Sequence, residues 1–307
     1  MKIYRSIDEF SGAQNVVLTV GTFDGVHIGH QKIIERIQSI AQRFNGETAL
    51  LTFYPHPRKV LFEDSDLKLI HTQEEKEQRL EKAGIDHLIV HPFTRDFSRL
   101  TALQYVRDLL VQKIGVRALV VGYDHHFGRN REGSFDELRE YGEMYGFEVV
   151  EIPAQDIDDV SVSSTKIRNA LAEGNVARAN KFLGSPFLIT GTVVVGQKLG
   201  RELGFPTANI RVEEDYKLLP ANGVYAAYIY VSEKKYSGML NIGVRPTVDG
   251  KSRTIEANIF DFDGDVYGHR IQLELMGRIR DEMRFDDLEA LKSRLNADRI
   301  AAQGMLE

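Results

Sequence analysis

The decapeptide GTFDGVHIGH, Gly21 to His30, follows the apolar run Val16–Val20 and holds three glycines, one acid and two histidines. Glycines directly after a strand let the backbone turn sharply and approach a ligand closely. A helix that follows presents unpaired N–H groups and the positive end of its dipole. Such a segment binds anions, and His27 and His30 at the helix mouth can add imidazole N–H donors for phosphate oxygens. The spacing alone also fits two exposed loop histidines, and zinc would need three or four ligands. Three other stretches carry chemistry. VSSTKIR (Val162–Arg168) offers hydroxyls and a guanidinium at a helix start, although Ser164 and Thr165 can equally be helix caps and Arg168 a surface charge. In PTAN, Thr207 and Asn209 stand two apart in an extended segment and can present hard oxygen ligands to Mg²⁺. A simple Pro-Thr turn is the alternative. Glu256 alternates with Ile255 and Ala257, so periodicity alone puts it on a solvated strand face.

The elements that must position these residues fall into two styles. Strands are expected at Val16–Val20, Ala49–Phe53, His87–His91, Ala118–Val121 and Glu148–Ile152, with helices near Gln31–Arg43, Glu74–Ala83, Ala102–Ile114 and Phe135–Tyr145. That alternation predicts a doubly wound parallel sheet, whose ligands sit at the carboxyl ends of strands. Two short helices follow, one ended by Gly174 and one by about Leu183. Gly184-Ser185-Pro186 then breaks the pattern, which divides the chain into residues 1–184 and 185–307. Beyond it, Phe187–Val195, Val224–Val231, Tyr236–Ile242, Thr254–Phe260 and Arg270–Met276 read as strands, with hairpin turns at Glu233–Lys235 and Asp263–Gly264. Consecutive antiparallel strands hide their edges most simply by closing into a small barrel, and Phe285 to about Leu295 reads as a last helix.

Composition limits the rest. The 307 residues include 39 Lys and Arg against 45 Asp and Glu, a net charge of −6 that argues against a general nucleic-acid binder. No apolar run suits a bilayer, and MKIYRSIDEF lacks the apolar stretch of a secretory signal, so a cytoplasmic protein without membrane partners is expected. The absence of cysteine excludes disulfides and thiolate metal sites. A monomer or weak homo-oligomer is expected.

Taken together, GTFDGVHIGH and VSSTKIR resemble the two motifs of the nucleotidyltransferase superfamily. PTAN, Asn222-Gly223-Val224-Tyr225, NIGVRPT (Asn241–Thr247), IEANIFDFDGDVYG (Ile255–Gly268) and RDEMRF (Arg280–Phe285) resemble riboflavin kinase. The two in this order resemble the bacterial bifunctional riboflavin kinase/FMN adenylyltransferase family over essentially the whole chain. The resemblance implies a Rossmann-like α/β domain followed by an antiparallel β-barrel with a C-terminal helix. It implies phosphorylation of riboflavin by ATP to FMN, then adenylylation of FMN to FAD with release of pyrophosphate. It assigns ATP binding to Gly21, Thr22, Phe23, His27, Gly29, His30, Ser163, Ser164, Thr165 and Arg168, with His27, His30 and Arg168 catalytic. In the barrel it assigns ATP to Gly196, Lys198, Gly204 and Thr207, Mg²⁺ to Thr207 and Asn209, flavin to Asn241 and Arg280, and the catalytic base to Glu256.

Two features bear on these assignments. After Val120-Val121-Gly122 the chain reads YDHHFGRNREG, with His125 and His126 where the family more often has an aromatic and a basic residue; Asp124 is still assigned to the flavin. In LTFYPHP (Leu51–Pro57), Pro55 and Pro57 are expected to stiffen a mobile loop over the adenylyltransferase site. The alternatives are a nucleotidyltransferase for another substrate carrying a merely structural barrel, and a flavin- or nucleotide-binding protein with one or neither activity.

Overall fold

A computed structural model of the chain describes residues 1–62, 65–122, 126–152, 162–196, 204–247 and 250–307. These form two compact units, the first comprising Met1–Lys68 and Gln73–Ser163, the second Leu69–Thr72 and Ser164–Glu307.

The first unit is built on a six-stranded parallel sheet of β1 (Lys2–Tyr4), β2 (Val16–Val20), β3 (Thr48–Tyr54), β4 (His87–Pro92), β5 (Val116–Gly122) and β6 (Glu148–Ile152). The spatial order is β1-β4-β3-β2-β5-β6. β1, at the edge and three residues long, is too short to show a period in sequence. Helix α1 (Ile28–Phe44) covers one face, where Ile34, Ile37 and Ile40 meet Val17, Leu50 and Val120. The opposite face is covered by a helix that begins as α2 (Ala102–Gln104) and continues with π-type bonding over Tyr105–Ile114, and by α3 (Phe135–Tyr145). Successive strands are added on one side of β2 through β4 and on the other side from β5. The carboxyl ends of β2 and β5 therefore mark the switch point at which doubly wound sheets bind ligands.

The second unit opens with α4 (Ser164–Ala172) and α5 (Val176–Leu183), the latter ended by left-handed Gly184. Six strands follow: β7 (Phe187–Val194), β8 (Ala208–Arg211), β9 (Gly223–Val231), β10 (Lys234–Thr247), β11 (Gly250–Ile259) and β12 (Arg270–Arg280). They close as β10-β11-β8-β7-β12-β9. Phe187, Tyr225, Ala227, Leu240, Ala257 and Leu273 are wholly buried. The chain ends in α6 (Leu288–Leu306), which packs Ala302 and Leu306 against Val224, Ala226 and Met239 on the barrel's outer face. The stretch Leu69–Thr72 joins this unit. Leu69 N donates to Tyr216 O and Leu218 N to Leu69 O, while the buried Lys217 ammonium donates to Ile70 O at 2.7 Å and Leu188 O at 2.6 Å.

The expected barrel and parallel sheet are both present, with local corrections. The β9–β10 turn is Ser232-Glu233, not Glu233–Lys235: Val231 pairs with Lys234, and both turn residues take the left-handed φ that a two-residue hairpin needs. Asp263–Gly264 is not a hairpin turn, because β11 pairs with β10 and β8 while β12 pairs with β7 and β9. The last helix starts at Leu288, after Asp287 caps it by accepting from Ala290 N at 2.7 Å, and runs on to Leu306. Helix α4 begins at Ser164, so Ser164 and Thr165 lie in its first turn instead of capping it.

Candidate active sites

The first site grows from β2. After Val20 the chain turns through Phe23 and Val26, both at positive φ (48° and 40°), and enters α1 at Ile28, three residues before the expected start. Non-glycine residues in this region are strained, and such strain gathers at ligand loops. His27 is the helix cap: its Nδ1 accepts from His30 N at 3.3 Å. Because Nδ1 is the acceptor, the proton of the neutral ring sits on Nε2, the nitrogen left to donate to an incoming oxygen. The His27 and His30 rings stack at 3.7 Å, and His30 stacks on Phe23 at 4.5 Å. Gly29 suits this stack, since a Cβ there would stand 3.2 Å from the His27 ring and press on it.

Two residues passed over in sequence complete the loop's support. The buried Lys76 ammonium donates to Thr22 O at 3.3 Å and to Thr52 Oγ1 at 3.1 Å, and Thr52 Oγ1 donates to Thr22 O at 3.2 Å. Burial lowers Lys76 to about 8, opposed by nearby Asp24 and Glu77, so it keeps its proton at neutral pH. Burial also lowers His27 to about 4, and burial with the neighbouring His27 and Lys76 holds His30 well below the ordinary imidazole range. Both histidines are thus neutral donors at pH 7.

Folded imidazoles whose pKa lies below the unfolded value contribute stability that is complete above about pH 6.5. It is lost as the pH falls towards 4 and the unfolded chain takes up protons first. Urea unfolding between pH 7 and 4 should lose up to about 1.4 kcal/mol per pH unit for each histidine, and His27→Gln should flatten that slope.

The residues of VSSTKIR divide between the two units. Ser163 ends the first unit; Ser164 and Arg168, half-buried, and Thr165, exposed, lie on α4 of the second. Asp124, His125 and Lys198 lie outside the described residues. Pro57 opens a short helix, Pro57–Leu61, whose cap His56 Nδ1 accepts from Arg58 N at 3.1 Å.

The barrel site is a row across three strands. Asn209 on β8 pairs in register with Glu256 on β11, which pairs with Asn241 on β10. Residues opposite one another in a sheet share a face. Here the face is the outer one, and helix α6 contributes Leu291 and Leu295 to a cavity on it. Glu256 and Asn241 therefore line a cavity of about 340 Å³ together with Thr207, Arg280 and Glu282. Its other walls are apolar, among them Phe205, Met239, Met283, Phe285 and Leu295. The solvated face expected for Glu256 from periodicity is thus a roofed one, and Glu256 is half-buried. Thr207 also lines a second cavity of about 660 Å³, shared with Asp263, Asp265 and Tyr267. Asn258, another residue without a signal of its own, anchors this segment by donating from Nδ2 to Pro206 O at 2.7 Å. Gly196 and Asn209 meet, because a Cβ at Gly196 would fall 2.0 Å from the Asn209 Nδ2. Gly204 takes a left-handed φ of 81°, and a Cβ there would meet nothing within 4 Å.

Among the described residues, no group of three or more His, Cys, Asp or Glu could hold a metal ion. The side-chain oxygens of Thr207 and Asn209 are of the type a hard cation takes, with phosphate and water as its remaining ligands. No helix among the described residues is long and apolar enough to cross a membrane.

A glycine–histidine turn at the switch point of a parallel sheet, followed by a barrel with a roofed carboxylate, defines a two-domain nucleotide-using transferase. The profile of the FAD synthetase family matches residues 10–166, and that of riboflavin kinase matches residues 183–306. The bifunctional riboflavin kinase/FMN adenylyltransferase of Escherichia coli (strain K12) is 38% identical over 306 residues, covering 99% of this chain and 97% of the relative. That of Pseudomonas fluorescens is 39% identical over 292 residues, covering 94% and 92%. A solved structure described as a macrolide-efflux protein from Streptococcus pneumoniae superposes with a TM-score of 0.89 at 31% identity, covering 98% of each chain. The chain belongs to the bifunctional riboflavin kinase/FMN adenylyltransferase family.

Proposed function

We propose that the barrel cavity is where riboflavin is phosphorylated and the β2–α1 turn is where FMN is adenylylated. The chain is a transferase with both activities, using ATP in each. The observation that carries the assignment is the row Asn209–Glu256–Asn241 beside Thr207, a residue common to both barrel cavities. A flat, largely apolar isoalloxazine suits the smaller cavity, with its aromatic and methionine walls. The nucleotide suits the larger one, and Thr207 stands where the two ligands meet. Glu256 accepts the proton of the ribityl 5′-hydroxyl as that oxygen bonds to the γ-phosphorus, and the bond to the bridging oxygen breaks to release ADP. Asn241 and Arg280 hold the flavin. Thr207 and Asn209 would hold Mg²⁺, which supplies charge neutralisation on the phosphates when bound. Gly196, Lys198 and Gly204 are assigned to ATP in the same domain.

In the adenylyltransferase domain a phosphate oxygen of FMN attacks the α-phosphorus and pyrophosphate leaves. Gly21, Thr22, Phe23 and Gly29 form the backbone cradle. His27 and His30 donate to the triphosphate, with the N-terminus of α1 behind them. Ser163, Ser164, Thr165 and Arg168 contribute hydroxyls and a guanidinium, and Asp124 a flavin contact. The functional boundary is placed at residue 184, supported by the start of the riboflavin kinase match at 183. A cytoplasmic monomer or weak homo-oligomer without nucleic-acid partners completes the reading.

Incubation with riboflavin, ATP and Mg²⁺, followed by chromatography, should show FMN appearing first and FAD accumulating from it. Absence of both products would refute the proposal.

A further inference from the structure

Arg280 lines the smaller barrel cavity, yet its hydrogen bonds go to Asp298 and Asp281, which do not line it. Its Nε donates to both carboxylate oxygens of Asp298, at 3.0 and 2.9 Å, and its Nη2 donates to Asp298 Oδ2 at 2.7 Å. Its Nη1 donates to Asp281 O at 2.8 Å, and the Phe285 ring lies 5.7 Å from the guanidinium carbon. Asp298 is a helix-interior carboxylate with a side chain 0% exposed, and Arg280 is 11% exposed. One turn earlier on α6, Arg294 approaches the same carboxylate at 3.1 Å. A charge removed from water persists in a folded protein when it is paired and hydrogen-bonded, and a planar guanidinium held along two edges has one orientation left to it. Asp298 therefore fixes a cavity-lining cation from a helix that also supplies Leu291 and Leu295 to the cavity wall.

We propose that Asp298 is a positioning residue for riboflavin: it holds Arg280 in the orientation that meets an acceptor oxygen of the flavin, and it ties flavin affinity to the docking of α6. This rests on the assignment of riboflavin to that cavity. The bond Arg280 makes to the flavin is the same in the ground and transition states, so its loss falls on KM and leaves kcat in place.

Asp298→Glu keeps the charge and displaces the carboxylate by one methylene. Asp298→Asn keeps the shape and removes the charge. Both are measured at 10 °C, once thermal unfolding has shown each to be folded there, by quenching of riboflavin fluorescence and by steady-state FMN formation. The expected result is a rise of about 10-fold in riboflavin Kd and KM, the worth of one charge-assisted hydrogen bond. The ATP KM and kcat should stay within about 3-fold, and Arg280→Met/Asp298→Glu should be no worse than Arg280→Met alone. If Asp298→Asn does not fold, Asp298→Glu decides. Wild-type riboflavin affinity in Asp298→Glu, or effects of the two sites that multiply, would overturn the proposal. Leu291→Trp, which fills the cavity, tests the underlying assignment separately. Unchanged riboflavin binding in that variant would refute the cavity reading, whereas weakened binding in it with normal binding in Asp298→Glu would refute only the role of Asp298.

Discussion

Glu256→Gln should lower FMN formation from riboflavin by about 10²–10⁴-fold, the usual contribution of a positioned general base, while FAD formation from supplied FMN continues. The substitution keeps the side chain's volume and its place in the row between Asn209 and Asn241. It removes the negative charge and with it the ability to take a proton. The loss should appear in kcat with little change in riboflavin KM, because the carboxylate acts as the hydroxyl attacks. Product chromatography from riboflavin and from FMN in parallel measures both reactions on one sample. A variant that still made FMN at the wild-type rate would remove Glu256 from the mechanism. One that lost both reactions while still folded would show that the two sites are not separate.

The second large effect is expected at His30. His30→Ala should reduce FAD formation by about 10²–10³-fold, the range seen when one donor to a developing anion is removed. FMN formation should persist. The ring is stacked between Phe23 and His27, so its removal also frees the His27 imidazole on one face. His30→Gln, which retains a donor, should recover part of the rate. Thermal unfolding of both variants separates a loss of chemistry from a loss of the first unit. If FAD formation survived in His30→Ala, the anion site would have to rest on the helix terminus and the other donors.

Much of the frame was legible because the central strands are buried on both faces. Ala118–Val121 is apolar without interruption, Val16–Val20 is broken only by the buried Thr19, and α1 carries its isoleucines at helical spacing. What the sequence hid depends on distant packing. Glu256 lies on a strand with ordinary alternation. The Arg280–Phe285 segment and α6, arriving more than twenty positions later, turn that face into a cavity wall. Lys76 stands in QEEKEQRLEK, a stretch that reads as a solvated helix, yet its ammonium is buried against Thr22 and Thr52. β8, four residues long, is marked by no period of its own, but its register with β11 aligns Asn209 and Glu256. The motifs were readable as residue types; their partners required the chain to be folded.

The stretch Leu69–Thr72 limits how the gene can be divided. It sits early in the reading frame, but its backbone is spent on Tyr216, Leu218 and the Lys217 ammonium. A plasmid encoding residues 185–307 alone would deprive that buried ammonium of the Ile70 carbonyl, and losing an acceptor is costly for a cation shut away from water. The two catalytic blocks follow one another neatly as text, but scissors placed at their junction would cut the kinase half away from a piece of itself.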